Sequence, residues 1–403
     1  MKSRTVLTQR LTLLSIALLL CIPLVSRVIP IPSRQLSGLA MNYRAPSWNW
    51  KSVKRGKYQA AWEVWATRDH AVWSWSIVLT NELLYRAFGE LSLDYQTSIQ
   101  GGEEWYLWQP MYLRSFNGTR APQPELINGA FKHLSQAQRL LRSHNVPLIG
   151  VINPNIVHLY PELIPEKYKA IRPGKKDYDI GLEAIAATGA EVADTFAALQ
   201  GLKNRYEARF FTPTGSHWND IGSCLAVKEI SATLSSAWHE EIPDPRCERF
   251  AMEDPPRAPE LDLIAIANLL SPNSIVQPAP YVTAPVEVSF KKPRRVLLIG
   301  TSFLFGLEKE LLRRKIADST TLLFYFKQIR KNGAGSFHGL DRRKVTKDFL
   351  LGYDAIIVDA NVSAPGAMGR GALSVIIKAF GETPVDIPKP KSPTSKTKKR
   401  KGR

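Results

Sequence analysis

Arg295-Val296-Leu297-Leu298-Ile299-Gly300-Thr301-Ser302-Phe303-Leu304-Phe305-Gly306-Leu307 reads as a buried strand, a tight turn and the start of a helix. Four consecutive apolar residues between charge and glycine suit a central parallel strand, which is covered on both faces. Gly300 permits the dihedrals of a sharp turn. Beyond it Phe303, Leu307, Leu311 and Leu312 recur at helical spacing. Ser302 therefore stands where a strand ends and a helix begins, where free N–H groups favour negative charge. A serine so placed can attack a carbonyl while backbone N–H groups hold the oxyanion. The same position equally suits a helix N-cap.

Working outward, the same beat of helix and strand recurs. Ile127, Phe131, Leu134, Ala137 and Leu141 mark an amphipathic helix, followed by the apolar strand Val146 to Ile152. Tyr178 to Thr188 is helix-like and leads to a short strand ending at Asp194. Thr321 to Phe326 and Ala355 to Val358 are two more buried strands. Alternation of this kind predicts an α/β fold. Ligands of open α/β sheets gather at the carboxyl ends of strands. Asn153 and Asn361 stand at two such ends and are candidate oxyanion or substrate contacts, although Asn before Pro154 is also common turn chemistry.

His217 lies in the loop Phe210-Phe211-Thr212-Pro213-Thr214-Gly215-Ser216-His217-Trp218-Asn219, just before a helical pattern that runs to Leu234. An imidazole is the usual base for a serine nucleophile at neutral pH. A loop histidine is also often a plain surface residue. No metal-ligand spacing is present. Cys224 and Cys247 suit either a disulfide in an oxidising compartment or two buried thiols.

The chain has 403 residues and a formal charge of +18. Eight cations and no acid lie between Lys389 and Arg403, and without those eight the charge is still +10. Such a surface attracts acidic partners. No zinc finger or RNA-binding signature is present, so nucleic acid is not an expected partner. Lys2, Arg4 and Arg10 precede an uncharged, mostly apolar run from Leu11 to Val25. That layout predicts an uncleaved anchor with its cationic end cytoplasmic, or a cleaved signal peptide; both put the body outside the cytoplasm. The expected organisation is an anchor over 1–32, a juxtamembrane linker over 33–60 and a catalytic domain over 61–383. Residues 236–290 form an inserted excursion, and 384–403 a disordered basic tail. Trp62, Trp65 and Trp73 are expected in the core, with sugar platforms and interfacial anchors as the other readings.

Several blocks, in order, resemble the SGNH-hydrolase-like domain of bacterial alginate O-acetyltransferases of the AlgX and AlgJ type. They are Ala71 to Phe88 with Gly101-Gly102-Glu103-Glu104-Trp105-Tyr106-Leu107, then Asn153-Pro154-Asn155 through Tyr160-Pro161-Glu162 and Pro165. Gly215-Ser216-His217-Trp218-Asn219 and Gly300-Thr301-Ser302-Phe303 follow. The resemblance covers roughly residues 60–365 and implies a flavodoxin-like, three-layer parallel sheet with helices on both faces. It implies a periplasmic polysaccharide O-acetyltransferase with Ser302 as nucleophile and His217 as base, and no cofactor. The acetyl group would come from a membrane-bound O-acyltransferase partner at the inner membrane. The same constellation would serve an acetylesterase or an inactive polysaccharide-binding relative. Two positions depart from the family: its Asp before the histidine is Gly215 here, and its Asp before the serine is Thr301. The acid that orients His217 must then come from elsewhere, with Asp194 and Asp220 as the nearest candidates.

Overall fold

The computed structural model describes residues 12–14, 17, 32–38, 45–68, 71–91, 99–101, 106–272, 275–283, 290 and 292–387. The expected anchor lies almost wholly outside these residues, as does the basic tail beyond Ile387. Among the described residues no helix is long and apolar enough to cross a membrane. By internal contacts the chain divides into two units. One is Met1–Asp94 with Asp262–Val276, and the other is Tyr95–Leu261 with Gln277–Arg403.

The larger unit carries eleven strands among its described residues: β1 (Ile99–Gly101), β2 (Tyr106–Trp108), β3 (Leu148–Asn153), β4 (Val192–Ala193), β5 (Phe250–Glu253), β6 (Ala279–Val282), β7 (Arg295–Gly300), β8 (Ser319–Phe324), β9 (Gln328–Lys331), β10 (Ala334–Gly339) and β11 (Ala355–Asn361). Seven of them form the central sheet in the order β10-β9-β8-β7-β11-β3-β4. From β8 to β4 the neighbours are parallel; β9 and β10 add an antiparallel hairpin. The expectation of a parallel sheet is thus corrected to a mixed one. The last parallel strand, β11, is inserted between β3 and β7, whereas a flavodoxin-like order adds it at the edge. Its residues explain the central place: all seven are buried, as befits a strand covered on both faces.

Two helical layers cover the sheet. One holds α1 (Pro124–Arg142), α2 (Asp177–Thr188) and, later, α6 (Ala372–Ala379); the other holds α3 (Thr195–Leu202), α4 (Asp220–Trp238) and α5 (Leu304–Arg313). α1 presents Ile127, Phe131, Leu134, Ala137 and Leu141 to the core at helical spacing, all of them buried. Gly150 of β3 is needed beneath it, because a Cβ there would come within 2.7 Å of the Leu134 side chain. Cys224 of α4 is joined to Cys247 in a disulfide, so the two are paired and are not free thiols. Both sulfurs belong to buried residues, and the buried Arg314 donates from Nη2 to Cys224 Sγ at 3.0 Å.

The smaller unit holds the helices Trp50–Lys54, Lys57–Arg68 and Ala71–Phe88. The first two occupy part of the stretch expected to be a linker. Trp62 is 39% exposed and does not belong to a core, against expectation; Trp65 and Trp73 are half-buried. Short flanking helices without buried residues leave such a ring nothing to pack beneath.

Candidate active site

β7 delivers Ser302 to the carboxyl end of the sheet. The strand ends at Gly300, and a turn over Thr301–Phe303 precedes α5. Ser302 is not the helix cap. Its hydroxyl lies 2.6 Å from Nε2 of His217, although the residues are 85 positions apart. Both side chains are half-buried, so the pair is reachable from solvent.

The turn is held from below by Asp359 of β11. Its carboxylate accepts from the Thr301 N–H at 2.7 Å, the Thr301 hydroxyl at 2.5 Å and the Asn153 Nδ2 at 2.5 Å. Asp359 and Asn153 are both fully buried. Burial pushes the Asp359 carboxyl up to about 6, against the hydrogen bonds from Thr301 that favour its charged form. Gly300 is obligatory at this point: a Cβ there would collide with the Asp359 carboxylate. A carboxylate thus stands beside Thr301, supplied from the neighbouring strand. Phe303 N–H turns back to the Thr301 hydroxyl at 3.4 Å, and Leu304 N–H to the Thr301 carbonyl at 3.2 Å. Among the described residues no acceptor takes the Ser302 N–H, which leaves it as the backbone donor for an oxyanion at Ser302.

The histidine loop is built differently. Phe211 and Trp218 form an antiparallel bridge that closes it. Asn219 caps α4 by accepting from Gly222 N–H at 3.1 Å, and its Nδ2 donates to the Arg209 carbonyl at 2.6 Å. The loop also leans on the excursion: the hydroxyls of Thr212 and Thr214 donate to the Glu260 carbonyl at 3.2 and 2.9 Å. Ser216 Oγ lies 3.1 Å from His217 Nδ1. When Nε2 accepts the Ser302 proton, Nδ1 carries the other hydrogen and donates it to Ser216. Phe303 packs edge-on against both rings of the loop, 5.0 Å from His217 and 5.3 Å from Trp218. Gly306 lets α5 approach, since a Cβ there would come within 2.7 Å of Trp218 Nε1 and 2.9 Å of Ser223 Cβ.

Neither acid expected to orient His217 hydrogen-bonds to it. Asp194 caps α3 by accepting from Ala197 N–H at 3.0 Å and accepts the Tyr178 hydroxyl at 2.6 Å. Asp220 accepts from Val282 N–H at 2.8 Å and pairs with Lys309 and Arg313 of α5. Burial alone would raise the Asp220 carboxyl, but the two cations outweigh it and hold it below its usual range. Asp220 thus ties the helix after His217 to the helix after Ser302. Asn153 is drawn into the Asp359 network. Asn361 pins the loop after β3: it accepts from Asn155 Nδ2 at 2.7 Å and donates to the Pro154 carbonyl at 3.0 Å. Asp359 itself was legible only as a carboxylate in an otherwise apolar strand, a residue rarely buried without a task.

A family described as the SGNH hydrolase-like domain of acetyltransferase AlgX matches residues 111–311. Over that stretch the chain is similar to the AlgX acetyltransferase domain. The AlgX-type region contains Asn153, His217 and Ser302, and ends before β11 and Asp359. Among solved structures, the O-acetyltransferase domain of Pseudomonas putida AlgJ matches at 15% identity and a TM-score of 0.45, over 70% of this chain and 98% of that one. Pseudomonas aeruginosa AlgX matches at 16% and 0.40, over 71% and 69%. Bacillus cereus PatB1 matches at 11% and 0.42, over 66% and 97%. No curated protein sequence matches the chain.

Proposed function

We propose that the chain is an O-acetyltransferase that acylates a polysaccharide through an acetyl-serine. The observation that carries this reading is the 2.6 Å approach of Ser302 Oγ to His217 Nε2 inside a region similar to the AlgX acetyltransferase domain. Ser302 Oγ attacks the donor's carbonyl carbon as its proton passes to His217 Nε2. The oxyanion so formed meets the Ser302 N–H. Collapse expels the leaving group, which takes the proton from His217 and leaves acetyl on Ser302. A sugar hydroxyl then gives its proton to His217 and attacks the acetyl carbon; the bond to Ser302 Oγ breaks, and His217 returns the proton to that oxygen.

The buried Cys224–Cys247 disulfide supports an extracytoplasmic body, because such bonds persist in oxidising compartments. The cationic N-terminus followed by an apolar run supports an inner-membrane anchor, with the catalytic unit periplasmic. On this reading the acetyl group is handed over by a membrane-bound O-acyltransferase, and the chain needs no cofactor of its own.

The test uses a chromogenic acetyl ester as donor, with and without an oligosaccharide acceptor. Wild-type protein is expected to move acetyl to the acceptor, and Ser302→Ala or His217→Ala to lose about a thousandfold or more. Free acetate without acetylated sugar would point instead to an esterase. Unchanged transfer by Ser302→Ala would end the proposal.

A further inference from the structure

Within the smaller unit, the helix Lys57–Arg68 places Tyr58, Ala61, Trp62 and Trp65 at positions i, i+3, i+4 and i+7, which is one stripe. The stripe continues into the preceding turn. Trp48 packs edge-on against Tyr58 with ring centroids 5.1 Å apart and against Trp50 at 5.2 Å; Trp62 meets Trp65 at 4.7 Å. Three of these rings are exposed. Trp48 is 60% exposed, Trp50 66% and Trp62 39%. No described side chain from residue 45 to residue 68 is buried.

The charges around the stripe have one sign. Lys51, Lys54, Arg55 and Lys57 lie between residues 45 and 62, and no acid does. Glu63 falls off the stripe by helical spacing. A short helix with no buried face is marginal in water by itself, so this segment is built to be completed by a surface.

We propose that this aromatic stripe and its four cations lie in the headgroup region of an anionic lipid bilayer. Tryptophan and tyrosine rings favour that depth, with an apolar body and a polar edge. Lysine and arginine on the flanks add attraction to anionic lipid, the usual make-up of a helix that lies in the interface plane. The uncharged run Leu11–Ser26 ends about twenty residues earlier in the chain. Asn49 is turned inward to cap the N–H groups of Lys51 and Ser52. This inference does not depend on the acetyltransferase reading.

The test is amide hydrogen exchange of the full chain in phosphatidylcholine nanodiscs, with or without about 30% phosphatidylglycerol. Amides of residues 48–68 are expected to exchange about tenfold or more slowly in the anionic discs, and to lose that protection in high salt. Replacing Lys51, Lys54, Arg55 and Lys57 with Gln should erase the dependence on lipid charge. Trp48→Ala with Trp50→Ala and Trp62→Ala should erase the protection, while exchange in β3 and β11 stays as in wild type and reports an intact fold. Equal exchange in both discs would overturn the proposal. So would protection that appears in detergent only on adding a polyuronate, or that rises with protein concentration without lipid.

Discussion

Ser302 and His217 meet at one point but are held there by different means. The serine turn is fixed by the sheet itself. β7 and β11 run side by side, and a fully buried carboxylate on one holds the backbone and hydroxyl of the turn on the other. The histidine loop lies outside the central sheet. Its described supports include one bridge, a helix cap, the Leu107 N–H of β2 donating to the Pro213 carbonyl at 2.9 Å, the Glu260 carbonyl from the excursion, and aromatic contacts from Phe303. One half of the pair is preorganised by register, and the other is braced from outside. The two positions without a motif acid differ in their surroundings. At Thr301 a carboxylate from the neighbouring strand, Asp359, accepts from the backbone and the hydroxyl. At Gly215 there is no room for one: a Cβ would come within 2.8 Å of Thr212 Oγ1 and 3.0 Å of the Glu260 carbonyl oxygen.

Restoring the family's acid next to the serine is the most severe test of this contrast. Thr301→Asp would set two carboxylates together in a buried site, where both cannot ionise. It is expected to destabilise the fold at pH 7 by about 3–5 kcal/mol, a penalty of the size seen for an uncompensated buried charge. Asp359→Asn in the same chain should recover most of the loss. Denaturant unfolding of the two single variants and the double gives the coupling, and a value near zero would break the account of the turn.

The next largest effect is a pH dependence. The Asp359 carboxyl ionises near pH 6 in the folded chain, and near its ordinary value of 3.8 when unfolded. Between those values the folded state holds the extra proton, so this group's contribution to stability is full below about pH 4 and is lost as pH rises through 6. The loss is on the order of 3 kcal/mol. Asp359→Asn does not have it. The difference in unfolding free energy between variant and wild type should therefore shift towards the variant by that amount from pH 4 to pH 7. A constant difference would show that Asp359 does not titrate as its burial implies.

Smallest is the change at the braced half. Gly215→Asp restores the family's residue before the histidine, yet its side chain must displace Thr212 or the Glu260 backbone. It is expected to cost about 1–3 kcal/mol and to leave acetyl transfer no faster. Faster transfer at undiminished stability would mean that the loop adapts more freely than its contacts suggest.

Much of this was legible in the chain. β7, β3 and β11 are runs of apolar residues, which is how a strand covered on both faces looks in sequence. The serine at the end of one and the histidine before a helix followed from short local patterns. What was not legible depends on register between distant segments. Thr301 and Asp359 are 58 positions apart, and only the adjacency of β7 and β11 joins them. The insertion of β11 between β3 and β7 has no local signature. Asp194 and Asp220 are the acids nearest His217 by sequence pattern, but a helix cap and two cations claim them first. Trp62 ran against expectation because a large ring is buried on average, and an average says little about a segment with no buried residues around it.

The ends of the central sheet have a consequence for how the molecule behaves when concentrated. A sheet edge offers unpaired N–H and C=O groups to any strand that drifts by. At one end stands β4, only two residues long. At the other stands β10, which has a glycine at its second and last positions and an irregular register with β9. Neither margin offers a long, flat template, so a second chain finds little to zip onto, and growth into fibrils has no ready starting row.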